Sequence, residues 1–331
     1  MNYLLISLVV SFFIAWLIGG PVIKFLRKQK AGQSILEYVD FHNSKQGTPT
    51  MGGIIFLSAL VLTSLFFLRA DSYLAVLTIL VTLGYGLIGF LDDYIKIHFK
   101  RNLGLKAYQK IIGQGGLSII IALACYFSPL IPNALILPFG LGQWQIGAWI
   151  IPLIIFVFLA VTNAVNLTDG LDGLAGSVSV VYLLAFGVIL SALSIFLYNE
   201  GVSSVVYNEY NNLLVVVGAM VGGILGFLIF NSHPAKVFMG DVGSLAIGAM
   251  VASIACFTGL ILYIPFLGVM FVVSTVSVIL QVLYYKKTKK RIFLMAPLHH
   301  HFEKKGMNEN KIVSIYIIIT IIASSIVIAF D

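Results

Sequence analysis

Long uninterrupted runs of apolar residues dominate the chain and predict its architecture. Ten of them approach the roughly 20 residues that an α-helix needs to cross the hydrocarbon core of a bilayer. The strands of a membrane β-barrel would instead alternate apolar and polar residues over only about ten positions. The pattern therefore predicts an all-α polytopic membrane protein with ten transmembrane helices, at residues 3–23, 51–68, 73–91, 111–128, 148–165, 174–197, 213–230, 243–262, 266–285 and 312–330.

Glycine and proline place the less obvious breaks in this pattern. Residues 242–285 carry no formal charge over about twice the length of one span, so we expect a turn near Ile264 and Pro265. Between the fourth and fifth spans, the segment from Leu135 to Ile146 has one proline and two glycines between short apolar stretches, which predicts a small outer β-hairpin. Because no long linker or repeat interrupts the chain, residues 1–331 are expected to form a single domain.

Composition and charge then orient the predicted helices. Hydrophobic residues make up 60% of the chain and charged residues 10%, with a mean hydropathy of +1.02, which excludes a water-soluble globule. Of the 20 Lys and Arg residues, only Arg69 falls outside the loops on one side of the ten spans. The positive-inside rule places those basic loops in the cytoplasm and both termini on the periplasmic or extracellular side. This topology explains the net charge of +7 without nucleic-acid binding, for which the sequence has no motif.

Five aspartates stand at the cytoplasmic ends of the predicted spans. Asp92 and Asp93 end the third span, Asp169 and Asp172 follow the fifth, and Asp241 precedes the eighth. Ionisable groups at a membrane edge are costly unless they are solvated or paired. Each aspartate taken alone is explained by a cap, a turn or an ion pair, but their common side predicts one cytoplasmic polar site.

The spacing around the aspartates suggests separate roles for them. Asp92 and Lys96 share a helix face at positions i and i+4, whereas Asp93 points about 100° away. Asp241 is equally explained as the N-cap of the eighth span. Residues 163–173 place amides and carboxylates three positions apart, next to glycines that let a ligand approach the backbone. A tight turn between helices with side-chain caps is the alternative there.

Three consecutive histidines lie in the last cytoplasmic loop. His299, His300 and His301 follow a proline and a leucine, and Glu303 comes just after them. Consecutive histidines suit hydrogen-bond donors better than a zinc site, which commonly has ligands at i and i+4 of a helix or in Cys-x-x-Cys pairs.

Taken together, five motifs resemble those of the phospho-N-acetylmuramoyl-pentapeptide transferases, within the superfamily of polyprenyl-phosphate N-acetylhexosamine-1-phosphate transferases. The resemblance covers nearly the whole chain, and its last motif, Pro-Leu-His-His-His-Phe-Glu, favours the muramoyl-pentapeptide branch. The motifs occupy residues 48–53, 92–96, 166–175, 238–244 and 297–303.

The resemblance implies an activity and its partners. The expected reaction transfers phospho-MurNAc-pentapeptide from UDP-MurNAc-pentapeptide to undecaprenyl phosphate, yielding lipid I and UMP for peptidoglycan synthesis. It would take place at the cytoplasmic face of a bacterial plasma membrane and depend on Mg²⁺, and a homodimer is compatible with the family. A GlcNAc-1-phosphate transferase using UDP-GlcNAc, or a membrane transporter, remains an alternative.

The resemblance also implies residue roles. Asp241 would be the main Mg²⁺ ligand, Asp92 a base or activator for the lipid phosphate, and Asp93 a support for either. The residues expected in the nucleotide-sugar site are Lys45, Thr50, Asn163, Asn166, Asp169, Gly170, Leu171, Asp172, Asn231 and Phe238. Of these, the uridine would be held by Gly170, Leu171, Asp172 and Phe238. The phosphates or the peptide would be contacted by Lys96, His299, His300 and His301. Direct attack and an aspartyl-phosphate intermediate both fit these carboxylates.

Overall fold

The computed structural model describes residues 2–29, 47–99 and 104–330, which form helices and one small sheet. Short 3₁₀ turns at Gly147–Trp149 and Ile261–Tyr263 join some of the helices. The helices are α1 (Asn2–Lys28), α2 (Gly53–Phe67), α3 (Tyr73–His98), α4 (Ala107–Phe127), α5 (Ile150–Thr168), α6 (Leu174–Asn199), α7 (Ser204–Asn231), α8 (Gly240–Thr258), α9 (Ile264–Leu267), α10 (Val269–Thr288), α11 (Leu298–Lys304) and α12 (Glu309–Phe330). The strands are β1 (Ala134–Ile136) and β2 (Gln143–Gln145).

The lengths of the helices support a polytopic membrane protein. Within the described ranges, nine helices are long and apolar enough to cross a membrane: α1, α3 to α8, α10 and α12. The second predicted span corresponds to α2, which is apolar but has only 15 residues. At 1.5 Å per residue it is about 22 Å long, short of a hydrocarbon core of about 30 Å. The all-α membrane fold is thus confirmed, whereas ten crossings and outer termini stay predictions.

The turn between the eighth and ninth predicted spans lies earlier than expected. Helix α8 ends at Thr258, and Gly259 follows with φ of +75°, the left-handed conformation that commonly terminates helices. The chain then forms a 3₁₀ turn and the short helix α9, in which Pro265 occupies the first turn. Proline is tolerated there because the first N–H groups of a helix have no intrahelical partner. The prediction that Pro265 makes the break was therefore wrong, and Gly259 makes it instead.

The predicted hairpin is confirmed between α4 and α5. Strands β1 and β2 pair antiparallel, with Leu135 opposite Trp144. Gly140 and Gly142 have φ of +64° and +88° in the connection, which side chains other than glycine rarely adopt.

Helices α7 and α8 form the centre of the protein and bury most of their residues. Helix α1 packs along α7, and α3 and α5 pack along α8. The outer helices expose many large apolar side chains, among them Leu17, Phe66 and Ile120, as expected for surfaces that face lipid. The two cysteines, Cys125 and Cys256, are free and buried.

Candidate active site

Glycine contacts bring the ends of α3 and α8 together. A methyl group at Gly89 of α3 would overlap the backbone carbonyl of Asp241, so only glycine permits this approach. Gly53, at the start of α2, packs in the same way on the backbone of Gly243. Small residues allow helix backbones to approach closely inside a membrane protein. The run of glycines at 84–89, which matches a dinucleotide-binding pattern as a string, therefore serves helix packing.

Three carboxylates meet where these helices approach. Asp92 and Asp93 in the last turns of α3 are almost completely buried, and Asp241 in the first turn of α8 has 15% of its side chain exposed. Each of them offers an oxygen within 4.8 Å of an oxygen of the others. We call Asp92, Asp93 and Asp241 the carboxylate cluster.

Two lysines neutralise part of this negative charge. Lys96 Nζ lies 2.6 Å from Asp92 Oδ2, 3.4 Å from Asp93 Oδ1 and 3.2 Å from Asp241 Oδ2. Lys110 Nζ, from the first turns of α4, lies 2.9 Å from the same Asp241 oxygen. Lys96 therefore contacts all three acids rather than pairing with Asp92 alone, as the helix spacing had suggested.

Asp92 and Asp93 differ in what anchors them. Asp92 Oδ1 accepts a hydrogen bond from the backbone N–H of Leu105 at 2.8 Å, which fixes the segment before α4. Asp93 Oδ2 accepts one from the N–H of Val242 at 3.2 Å, in the first turn of α8. In each carboxylate, one oxygen accepts a backbone hydrogen bond and the other contacts Lys96. Asp92 is thereby fixed to the segment before α4, and Asp93 is fixed to α8.

Asp241 is not the N-cap of its helix. Met239 holds that position, and Asp241 lies in the first turn with its carboxylate directed at side chains. Asn166 Nδ2 donates to Asp241 Oδ1 at 2.8 Å and also lies 2.8 Å from Ser244 Oγ. The carboxylate of Asp241 thus faces α3, α4 and α5 and is the most exposed of the three.

The carboxylate cluster has the chemistry of a site for a hard divalent cation. Carboxylate oxygens are the preferred protein ligands of Mg²⁺, which usually takes one or two of them and completes its shell with water and substrate phosphates. The grouped oxygens and the partial exposure of Asp241 fit such an ion. A second group with ligand atoms within 4.8 Å of one another is formed by Asp172, His233 and Glu309.

Asp169 and Gly170 connect the carboxylate cluster to the three histidines. Asp169 caps the end of α5, where desolvation, followed by repulsion from Asp241 and nearby acids, raises its pKa to about 8. A methyl group at Gly170 would overlap the ring of His299 and lie 2.9 Å from His300 Nε2. The turn after α5 therefore packs directly on α11.

The three histidines have different surroundings. His299 is completely buried, and neither ring nitrogen has a hydrogen-bond partner among the described residues. Burial lowers the pKa of His299 to about 3, so this ring is neutral near pH 7. His300 Nδ1 lies 2.9 Å from Glu303 Oε2, and His301 Nδ1 accepts the N–H of Leu294 at 3.1 Å. His300 and His301 are partly exposed, so they are the two of the three histidines that a ligand could reach.

The residues expected around uridine lie in two adjoining segments. Asn231 joins the segments, because its Oδ1 accepts the N–H of Gly173 at 3.1 Å and its Nδ2 donates to the carbonyl of Val237 at 2.9 Å. Phe238 is half-buried, and its backbone bonds to Pro49 and Gly52. Leu171 is buried in the turn before Gly173.

Other predicted residues are more scattered. Thr50 is buried near Asp93, since a methyl group at Gly240 would lie 2.7 Å from Thr50 Oγ1 and against the Asp93 carboxylate. Asn163 precedes Asn166 by about one turn of α5, and its Nδ2 donates to Gln114 Oε1 at 2.8 Å. Lys45 lies outside the described residues.

Sequence reasoning missed several residues that the fold brings to the site. Lys110, Gln114 and Glu309 are far in sequence from the residues that they contact. One signal marked Lys110, which is a basic residue at the predicted cytoplasmic start of a span, but anchoring at the membrane edge explains that position equally well. Gln114 and Glu309 gave none.

Two family models match parts of this chain. A family model described as Glycosyl transferase family 4 matches residues 74–259, which contain the whole carboxylate cluster. A shorter one, described as Phospho-N-acetylmuramoyl-pentapeptide-transferase signature 1, matches residues 45–57.

Similar curated proteins cover nearly the full chain. A protein of Thermoanaerobacter sp. (strain X514) is 44% identical over 322 residues, 97% of this chain and 96% of the relative. One of Clostridioides difficile (strain 630) is 43% identical over 95% of this chain and 93% of its own length. One of Geobacillus sp. (strain WCH70) is 43% identical over 94% and 92%. All three are named phospho-N-acetylmuramoyl-pentapeptide-transferase.

Proposed function

The chain belongs to the phospho-N-acetylmuramoyl-pentapeptide-transferase family, and on that premise we propose that it transfers phospho-MurNAc-pentapeptide from UDP-MurNAc-pentapeptide to undecaprenyl phosphate. The products are UMP and lipid I, an intermediate of peptidoglycan synthesis. One observation carries the assignment to this site: the carboxylate cluster, two lysines and Asn166 converge where α3, α4, α5 and α8 meet.

The reaction joins two anions, so the site must offset charge as well as align the reactants. An oxygen of the lipid phosphate bonds to the sugar-linked phosphorus, and the bond from that phosphorus to the oxygen that leaves with UMP breaks. Lys96 and Lys110 provide fixed positive charge beside the place where these anions meet. Such preorganised charge stabilises a phosphoryl transition state without rearrangement at the moment of reaction.

Mg²⁺ is the cofactor proposed for the carboxylate cluster. Asp241 is its main ligand, because its side chain is the most exposed of the three acids and faces the other site residues. The ion supplies Lewis-acid polarisation of phosphate oxygens and charge neutralisation. Asp92 and Asp93, each anchored to backbone, keep Lys96 in position and complete the negative surface that attracts the ion.

A strong general base is not required by this chemistry. The attacking oxygen belongs to a phosphate that is already largely ionised near neutral pH. Asp92 is therefore proposed to position and activate the acceptor, with Asp93 as its support, so that alignment and electrostatics supply most of the rate. A covalent aspartyl-phosphate route would be recognised by trapping phosphorylated enzyme.

The nucleotide sugar is proposed to bind along the turn after α5 and the loop before α8. Gly170, Leu171, Asp172 and Phe238 hold the uridine, and Asn166 and Asp169 lie between it and the carboxylate cluster. His300 and His301 face the phosphates or the peptide. The proposed location of this site is the cytoplasmic face of a bacterial plasma membrane, which the positive-inside rule supports because the basic loops lie on the same side as the aspartates.

Turnover by purified protein tests this function. UMP release should require UDP-MurNAc-pentapeptide, undecaprenyl phosphate and Mg²⁺ together, and UDP-GlcNAc serves as the competing donor. Asp241→Asn should lower the turnover number by about 10² to 10³-fold, since it removes the anionic ligand proposed to hold Mg²⁺ beside the reacting phosphates. Asp71→Asn, the same change at an exposed position between α2 and α3, should leave turnover unchanged.

Two results would contradict the proposal. Wild-type turnover in Asp241→Asn would reject the metal assignment. UMP release with UDP-GlcNAc as the donor, but not with UDP-MurNAc-pentapeptide, would reject the proposed donor.

A further inference from the structure

Three side chains from distant parts of the chain meet beside the proposed uridine site. Asp172 lies in the turn between α5 and α6, His233 in the loop between α7 and α8, and Glu309 at the start of α12. We call this group the Asp172 tie. Its members are 61 and 137 positions apart from Asp172, so no local structure accounts for their meeting.

Hydrogen bonds define the geometry of the Asp172 tie. The backbone N–H of Asp172 donates to Glu309 Oε1 at 2.6 Å, a short bond to a charged acceptor. Asp172 Oδ2 accepts the N–H of Ala235 at 3.0 Å and lies 3.2 Å from His233 Nδ1. The same Nδ1 lies 3.2 Å from Glu309 Oε2, so its hydrogen is shared between two carboxylates.

Burial increases the energetic contribution of these hydrogen bonds. The Asp172 side chain is 2% exposed and that of Glu309 is 10% exposed, whereas the His233 ring is 36% exposed. Hydrogen bonds to charged groups contribute more where water is excluded, and leaving a buried partner unsatisfied costs more still. Of the two residues that hold Asp172, Glu309 is the more buried, so its loss should have a larger effect than the loss of His233.

The bonding within the Asp172 tie explains why its atoms cluster. Although its side chains could in principle ligate a metal, their oxygens and the His233 nitrogen already match one another as donors and acceptors. The Asp172 tie has a structural effect. It fixes the turn that carries Gly170 and Leu171 against the loop that leads to Phe238.

We propose that Glu309 and His233 are positioning residues for the uridine end of the nucleotide sugar. They act through Asp172 and the two segments rather than by touching the reacting atoms. The inference rests on the proposed function, because that function assigns those segments to uridine. It predicts a loss of nucleotide affinity while the carboxylate cluster, and hence the chemical step, is preserved.

Nucleotide binding and steady-state kinetics separate this role from a merely structural one. In Glu309→Ala, the Kd for UMP and the KM for UDP-MurNAc-pentapeptide should rise about tenfold, as expected for loss of one hydrogen bond to a charged group. The KM for undecaprenyl phosphate and the kcat should stay within about twofold of wild type. Glu309→Gln keeps an oxygen acceptor and should recover part of the affinity. His233→Ala should give a smaller rise of about threefold.

Glu209 offers a matched control on another part of the fold. Its carboxylate accepts the backbone N–H groups of Tyr73 and Leu74 at 2.9 and 2.7 Å, at the start of α3. Glu209→Ala removes the same kind of bond and should lower thermal stability without changing the Kd for UMP.

Each outcome decides the inference. Wild-type affinity for UMP in Glu309→Ala, or in Glu309→Gln and His233→Ala should the alanine variant not fold, would overturn it. A loss confined to kcat would overturn it as well. If the wild type binds UMP in a Glu309-dependent manner but releases none from UDP-MurNAc-pentapeptide, the proposed function fails and the positioning role stands. If the wild type does not bind UMP, both fail.

Discussion

The contact between Lys110 and Asp241 shows how single residues set the charge of the site. The lysine reaches the carboxylate from α4, and Lys96 reaches the same oxygen from α3. Two cations on one carboxylate oxygen offset much of the negative charge of the carboxylate cluster beside the space proposed for the phosphates. Sequence spacing predicted the contact of Lys96 with Asp92 but gave no partner for Lys110.

Removing the charge of Lys110 should therefore slow the reaction. Lys110→Met keeps the length and apolar stem of the side chain, and we expect the turnover number to fall at least about tenfold because transition-state charge loses a partner. Lys24→Met removes a lysine from the exposed surface of α1 and should leave turnover within about twofold. Equal activity in the two variants, with UMP release measured at saturating substrates, would argue against a role for Lys110.

At the scale of elements, the site depends on how closely α3 and α8 approach. Helix bounds were predictable to within a few residues for most spans because apolar length is a local property of the chain. The break after α8 was misplaced because a glycine in the left-handed conformation ended the helix before the proline. The close approach itself depends on Gly89, whose missing side chain admits the backbone of Asp241.

A methyl group at Gly89 should separate these helices. Gly89→Ala would force α3 away from α8, with a stability cost of about 1–3 kcal/mol, and turnover should fall because the carboxylate cluster opens. Gly116→Ala on α4 is the control, since a methyl group there meets nothing within 4 Å. Thermal unfolding and UMP release should both distinguish the two variants. Unchanged values in Gly89→Ala would mean that the helices tolerate a wider spacing.

At the scale of the whole molecule, the distribution of charge predicts the orientation in the membrane. The loops that carry the aspartates also carry nearly all the lysines and arginines, so the positive-inside rule predicts that the proposed site lies on the cytoplasmic side. The hairpin of β1 and β2 lies between α4 and α5, in a connection that this topology assigns to the outer side.

Cysteine labelling checks the orientation. Gln143→Cys in the hairpin and Lys289→Cys after α10 place exposed thiols in connections that the topology assigns to opposite sides. The native Cys125 and Cys256 are buried and should stay unlabelled. A membrane-impermeant maleimide should label Gln143→Cys in intact cells, and Lys289→Cys only after permeabilisation. The reverse pattern would invert the topology.

The sequence alone determined the membrane class, the approximate spans, the hairpin and the motifs that indicate the family. Each of these is a local or additive property, since apolar length, loop charge and short motifs are read without knowing which helices touch. The candidate aspartates were found in this way too, and the fold brings Asp92, Asp93 and Asp241 together.

Only the tertiary structure decided which atoms meet. The contact of Lys110 with Asp241 and the bonds of Glu309 to Asp172 join residues 131 and 137 positions apart. Central helices such as α7 and α8 are apolar on nearly every face, so their sequences do not reveal which face a neighbour will take. Packing of small residues, above all Gly89 against the backbone of Asp241, fixes that choice and thereby builds the site.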